Sequence, residues 1–209
     1  MTTEPYGKGR RPVHEQVVGG LGTVRVLPVE PKADLDVIHG WVTAERARFW
    51  GMGGFSKEQV LETYEHLDSL DTHHAFLAVL DGVPAALFQT YEPEADRVSE
   101  CYEPEPGDIG VHLLIGPVRR GERTGYSSGL INAFTTFVLR GLGRSRVVVE
   151  PDVRNVKAIE RLVRQGFELG PEIVLPAVDL PEVYLPEKRA RLAFLVRGPV
   201  RGPVRGKRF

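Results

Sequence analysis

The chain has a single cysteine, Cys101, in 209 residues. One thiol excludes an intramolecular disulfide framework and a cysteine-built zinc site. It also matches the cysteine usage of a reducing cytoplasm, which is the expected location. Net charge is nearly absent, at a formal -1, so no overall basic field exists to gather nucleic acid. No stretch approaches the roughly 18 apolar residues of a membrane span, and no membrane partner is expected. The opening MTTEPYGKGRRPVHE has basic residues without an apolar segment behind them, which argues against a signal peptide. His66, His73 and His74 have no metal-ligand spacing with carboxylates, so no metal is expected. What remains is ordinary for a globular protein: 42% hydrophobic, 26% charged, and long enough for a sizeable core.

Residues 1–18 are polar with glycine and proline, and are expected to form an N-terminal arm, ordered only if something covers it. Thr23–Val29 alternates as a first strand. Asp34 opens an apolar helical pattern running toward Phe49-Trp50, which Gly51–Gly54 breaks. Ser56-x-x-Gln59 is a capping-box pattern that starts a second helix ending near Leu67. His74–Leu80 and Val83–Tyr91 flank Asp81-Gly82, a strong hairpin signal. From Glu92 to Asp108 the chain holds seven acids against one base, Arg97. This is either a solvated loop or an electronegative rim for a cationic substrate.

Next comes an apolar strand, Ile109–Ile115, with His112 set into it. Gly116-Pro117 ends it, a basic turn spans 119–125, and a helix follows that Ser127-Ser128 can cap. Such a turn at a helix start is an anion site, because free N–H groups and the positive end of the helix dipole meet there. A buried-type strand, Arg146–Glu150, is followed by Pro151-Asp152 and by a helix from Asn155 to its glycine stop, Gly166. Phe167–Val174 and Ala190–Val196 are the last strands, joined by the proline-rich 176–188. The tail 199–209 repeats Arg-Gly-Pro-Val and is expected to be disordered. Residues 19–198 therefore read as one α/β domain with a mixed sheet.

This element order resembles the GNAT superfamily of N-acetyltransferases. Two segments carry the likeness. The turn from Arg120 to Gly125 is similar to the family's pyrophosphate turn, with Arg123 where its middle glycine is expected. Asn155-x-x-Ala158 followed by Gly166-Phe167 matches a second motif, but Leu162 replaces the tyrosine that often protonates the leaving thiolate. Within the superfamily the chain is most similar to siderophore-biosynthesis acyltransferases. That likeness rests on Trp41, Phe49-Trp50, Gly110-Val111-His112 and Glu150-Pro151-Asp152-x-Arg154-Asn155. The FWGMGGF and YEPE segments look like the desferrioxamine-type members, which acylate N-hydroxycadaverine.

The resemblance implies a mostly antiparallel mixed sheet, splayed at an acyl-CoA site and flanked by helices. It implies acyl-CoA as co-substrate, as acetyl-CoA or succinyl-CoA, and an N-hydroxylated amine as acceptor. Coenzyme A would meet Leu113, Leu114, Ile115, Arg120, Gly121, Arg123, Thr124, Gly125, Tyr126 and Asn155. His112 would be the general base, since a near-neutral histidine suits a weakly basic hydroxylamine, with Glu150 as its catalytic partner. Trp50, Gln89 and Tyr91 would line the acceptor tunnel, and Glu94, Glu103 or Glu105 would meet a distal ammonium. Cys101 is a poor nucleophile candidate. The quaternary state is open between monomer and homodimer. Two alternatives remain open: acetylation of another amine, such as a polyamine or an antibiotic, or a non-catalytic acyl-CoA-binding module.

Overall fold

The computed structural model describes residues 4–117, 125–180 and 183–198. Among the described residues, ten strands and four α-helices follow as β1 (His14–Val18), β2 (Gly22–Pro28), α1 (Pro31–Val42), α2 (Lys57–Asp68), β3 (His73–Leu80) and β4 (Val83–Tyr91). They continue as β5 (Asp108–Ile115), α3 (Tyr126–Thr136), β6 (Arg146–Val149), α4 (Val156–Arg164), β7 (Glu168–Leu175), β8 (Val178–Leu180), β9 (Val183–Leu185) and β10 (Lys188–Val196). Eight strands form one sheet in the order β1-β2-β3-β4-β5-β6-β10-β7, and β8-β9 is a separate hairpin. All pairings are antiparallel except β5 with β6. No helix among the described residues is long and apolar enough to cross a membrane.

Local chemistry explains most boundaries. Asp81 and Gly82 both take positive φ, 47° and 80°, the geometry that matches the twist of a two-residue hairpin. Ser56 and Gln59 form the expected capping box on α2. Asn155 caps α4 by accepting from the Ala158 N–H, and Gly166 follows that helix at φ +88°. The serine cap expected for α3 does not form. Gly125, at φ +82°, is the N-cap and Ser127 and Ser128 lie inside the first turn. A glycine reaches that backbone conformation without strain.

Residues 14–18, placed in the polar arm by composition, form the edge strand β1 against β2. Upstream, the Tyr6 hydroxyl donates to Asp34 at 2.5 Å and Arg10 pairs with the same carboxylate at 2.7 Å. Asp34 is buried at the start of α1 and also accepts from the Glu30 N–H. This segment is therefore tied down by a buried acid rather than by an apolar face. The 199–209 tail lies outside the described residues.

The sheet carries two unlike faces. On one, Val26, Phe76, Phe88, Val111 and Val149 pack against Leu130, Phe134 and Phe137 of α3 and its π-type extension, with Leu162 of α4 in the same cluster. Phe88 and Phe134 stack at 4.0 Å. This core runs across both halves of the sheet. The other face is divided. Leu77, Leu87 and Leu114 pack under α1 and α2 with Ile38, Trp41 and Val60. Tyr91, Val148, Ile173, Leu175 and Leu192 form a second cluster around Val98.

The boundary between these clusters is where β5 leaves β6. Their parallel pairing covers only Asp108–Gly110 against Arg146–Val148. From Val111 onward β5 pairs on its β4 side alone, through Ile115. The Gly116 N–H bonds the Ala85 carbonyl. Alternation along that ladder turns Leu114 toward Leu87 and leaves the backbone groups of Val111, Leu113 and Ile115 facing the gap.

Candidate active site

At the head of this gap His112 and Glu150 meet. His112 is on β5, on the face that also carries Gly110 and Leu114. Glu150 directly follows β6, which Pro151 ends. His112 Nε2 lies 2.8 Å from Glu150 Oε1. An ionised carboxylate only accepts, so Nε2 carries the hydrogen and Nδ1 is the nitrogen available for proton transfer. Gln89 Oε1 lies 3.3 Å from Nδ1 across the β4–β5 ladder, and with Nδ1 unprotonated the two are acceptors side by side that share no hydrogen. The Gln89 amide donates on to the Tyr64 hydroxyl at 3.2 Å.

Glu150 is 5% exposed and fully engaged. Tyr91 donates its hydroxyl to Oε2 at 2.8 Å and Lys188 approaches Oε1 at 3.3 Å. Burial alone would raise the carboxyl pKa. The charge of Lys188, then His112, then the Tyr91 hydroxyl more than offset it and hold Glu150 well below the usual carboxylate range. Burial first, and the adjacent Glu150 charge second, push the Tyr91 phenol well above its ordinary value. Tyr91 therefore remains a donor and Glu150 an anion throughout the neutral range.

Gly110 makes this possible. A Cβ there would lie 2.0 Å from the Tyr91 ring, so only glycine lets the ring cross β5 and reach Glu150. His73 stacks on the outer side of Tyr91 at 5.9 Å. Trp50 stands edge-on to the His112 ring, with centroids 6.2 Å apart. It reaches the imidazole from the segment between α1 and α2.

The residues singled out by sequence separate into groups. His112, Glu150, Gln89 and Trp50 come together. Tyr91, expected to line the acceptor tunnel, is 1% exposed and instead holds Glu150 from behind. Leu113 and Ile115 face the gap, and Arg46 already donates to the Ile115 carbonyl. Leu114, expected beside them, is turned into the β4 ladder. Gly125 and Tyr126 open α3, which has no side-chain cap and no acid in its first turn. Leading N–H groups without a side-chain cap are a setting suited to a phosphate. Arg120, Gly121, Arg123 and Thr124 lie outside the described residues.

The acidic segment differs from an open rim. Glu92 pairs with Arg144, and Glu105 and Asp108 pair with Arg146. Asp96 accepts from the Val98 N–H. Glu94 and Glu103 are exposed.

Lys188 and Tyr64 were not anticipated. Lys188 opens β10 directly after a proline-rich connection, with no periodicity to single it out. Tyr64 reads simply as one apolar position of an amphipathic helix. Burial pushes its phenol up, partly offset by hydrogen bonds from Trp50 and Gln89.

Comparison with known proteins agrees with this architecture. An acetyltransferase (GNAT) domain family model matches residues 30–175. An N(6)-hydroxylysine O-acetyltransferase of Escherichia coli is 26% identical over 168 residues, covering 78% of this chain and 49% of that protein. An N-hydroxyputrescine acetyltransferase of Acinetobacter baumannii is 22% identical over 109 residues, covering 52% of this chain and 50% of that protein. The chain thus spans about half the length of the curated relatives it matches. A solved aminoglycoside acetyltransferase in complex with coenzyme A superposes with a TM-score of 0.66 at 20% identity, covering 83% of this chain and 95% of that one.

Proposed function

Because the chain belongs to the GNAT acetyltransferase family, we propose that it transfers an acyl group from acyl-CoA to the nitrogen of an N-hydroxylated amine. The observation that carries this reading is the His112–Glu150 pair at the head of the β5–β6 gap. The names of two curated relatives, acting on N-hydroxylysine and N-hydroxyputrescine, support the acceptor class. A hydroxamate product is the chemistry of iron-binding siderophores, and desferrioxamine-like assembly is the specific setting we infer.

The described residues fit a coenzyme A thioester. Val111 and Leu113 offer strand-edge groups for the two amides of a pantetheine arm, as in β-strand addition, while the Ile115 carbonyl already accepts from Arg46. The uncapped start of α3 suits its pyrophosphate. In addition to capping α4, Asn155 would bond the arm. Acyl-CoA supplies the activated carbonyl. The chain supplies orientation and proton handling. A hydroxylamine arrives unprotonated near neutral pH, so no strong base is needed before attack.

As the nitrogen–carbon bond forms and the carbon–sulfur bond breaks, His112 Nδ1 takes the proton leaving nitrogen. Glu150 stabilises the resulting imidazolium, and Lys188 and Tyr91 keep Glu150 in place. His112 then returns the proton to the departing sulfur. This route needs no tyrosine at the position of Leu162, which is buried in the core at 4% exposure. Gln89, beside Nδ1, orients the N–OH group, and Trp50 walls the acceptor stem.

His112→Ala tests the assignment. Turnover should fall by about 10²–10⁴, the usual contribution of a general base, while acyl-CoA affinity changes less than threefold. Unchanged turnover would remove His112 from the chemistry. Rate comparison across N-hydroxycadaverine, cadaverine and an aminoglycoside separates the proposed acceptor from an unmodified amine. Acyl-CoA binding without turnover on any acceptor would make the chain a binding module instead.

A further inference from the structure

Beside the catalytic pair lies a surface pocket of about 280 Å³ lined by Arg48, Phe49 and Arg154. Its walls are the same two segments that flank His112. Phe49 precedes Trp50, whose ring stands against the imidazole. Arg154 follows Glu150 by four positions, on the turn into α4. Arg48 lies over the Phe49 ring at 4.8 Å and Arg154 approaches the same ring at 5.8 Å. The phenyl ring forms an apolar wall between two guanidinium groups.

Both guanidinium groups reach the surface, Arg154 while paired to Asp152. Their side chains are 64% and 77% exposed. Asp152, itself 6% exposed, grips Arg154 from below through Nε at 2.8 Å and Nη2 at 2.6 Å. That grip fixes the plane of the guanidinium, and among the described residues no partner engages its Nη1. Glu45 approaches Arg48 only at 3.8 Å. Lys188 adds a further positive charge near Asp152. Of the three acids expected to greet a distal ammonium, Glu105 is committed to Arg146, while Glu94 and Glu103 are exposed.

We propose that the Arg48–Phe49–Arg154 pocket is a carboxylate subsite that selects for a substrate ending in a short methylene chain and a carboxylate. The methylenes would lie on Phe49 and the carboxylate between the guanidinium forks, which match its planar geometry. This rests on the acyl-transfer reading and narrows it. Two sources carry such a group: the acyl chain of a dicarboxylic monothioester, such as succinyl-CoA, or an N-hydroxylated amino acid acceptor.

The test compares kcat/KM of the full chain for three combinations: succinyl-CoA with N-hydroxycadaverine, acetyl-CoA with N6-hydroxylysine, and acetyl-CoA with N-hydroxycadaverine. The wild type should favour one carboxylated combination at least tenfold over the uncarboxylated one. Arg48→Gln and Arg154→Gln should each cut that preference about tenfold, the scale of one charge-assisted contact. The preferred arm identifies the source. Equal rates in all three combinations, or an equal loss in all three on substitution, would overturn the subsite.

Arg48→Gln alters an exposed side chain and so guards against a folding artefact from Arg154→Gln, which strips Asp152 of its partner. If no acceptor turns over, the acyl-transfer reading fails, yet the subsite is still testable by binding. Calorimetry should then show succinyl-CoA binding more tightly than acetyl-CoA, or a larger thermal shift with N6-hydroxylysine than with N-hydroxycadaverine. Arg48→Gln should abolish that difference, and equal binding in the wild type would refute the subsite.

Discussion

Glu150→Gln removes a charge while keeping side-chain volume and much of the hydrogen-bonding capacity, which makes it a direct probe of the catalytic pair. At 2.8 Å, a full charge pair in an effective dielectric of about 20 interacts by roughly 6 kcal/mol before desolvation. Glu150 is 5% exposed, so desolvation offsets a large part of that. If about half survives, roughly 3 kcal/mol is lost when the imidazolium must form beside a neutral amide. That corresponds to a rate on the order of a hundredfold lower. The imidazolium forms only as the proton leaves nitrogen, so the loss belongs in kcat and not in acyl-CoA binding. Thiol release at saturating acyl-CoA reads the first quantity, and calorimetry reads the second. A melting curve guards against unfolding, because Tyr91 and Lys188 also lose an anionic partner. Turnover within threefold of wild type, in a folded variant, would refute the argument. So would a loss confined to acyl-CoA affinity.

Other outcomes follow from the same geometry. Gly110→Ala places a Cβ 2.0 Å from the Tyr91 ring; overpacking should lower stability by about 1–3 kcal/mol and reduce turnover further by displacing Glu150, checked by denaturant melts beside rate assays. Asn155→Ala should lower stability by about 1 kcal/mol through loss of the α4 cap and weaken acyl-CoA binding; a stability loss with unchanged affinity would leave Asn155 a cap alone. Glu150 has a depressed folded pKa against an ordinary 4.5. Its contribution to stability is therefore fully present above about pH 4.5 and lost only as pH falls through the lower folded value. Glu150→Gln should flatten the acid limb of melting temperature against pH, and an unchanged limb would contradict the assignment.

Much of the fold is legible because it rests on local signals. Asp81-Gly82, the Ser56–Gln59 box and the Asn155–Gly166 helix each declare themselves within a few residues. The failures are equally physical. Ser127-Ser128 looks like a helix cap, but Gly125 at positive φ starts the turn earlier. Residues 14–18 alternate too weakly to announce a strand, because pairing with β2 decides their order. In the site, His112 and Glu150 stand out as polar residues in apolar strands. Tyr91 carries no mark that distinguishes a ring lining a tunnel from one buried behind a carboxylate. That distinction depends on Gly110, which adjoins it only across the sheet. Lys188 reaches Glu150 from the start of β10, after a connection whose path no local pattern encodes.

The sheet's two faces close differently, and this bears on how activity and folding relate. On the α3 side one core binds the halves like the spine of a book. On the other side the packing is parted along the line where β5 leaves β6, and His112 and Glu150 hold opposite pages. A small rotation about that spine would leave the shared core intact yet lengthen a 2.8 Å contact beyond use. Mild destabilisation should therefore silence the enzyme before it unfolds the chain, and residues far from any substrate, along the spine, set how far the pages stand open.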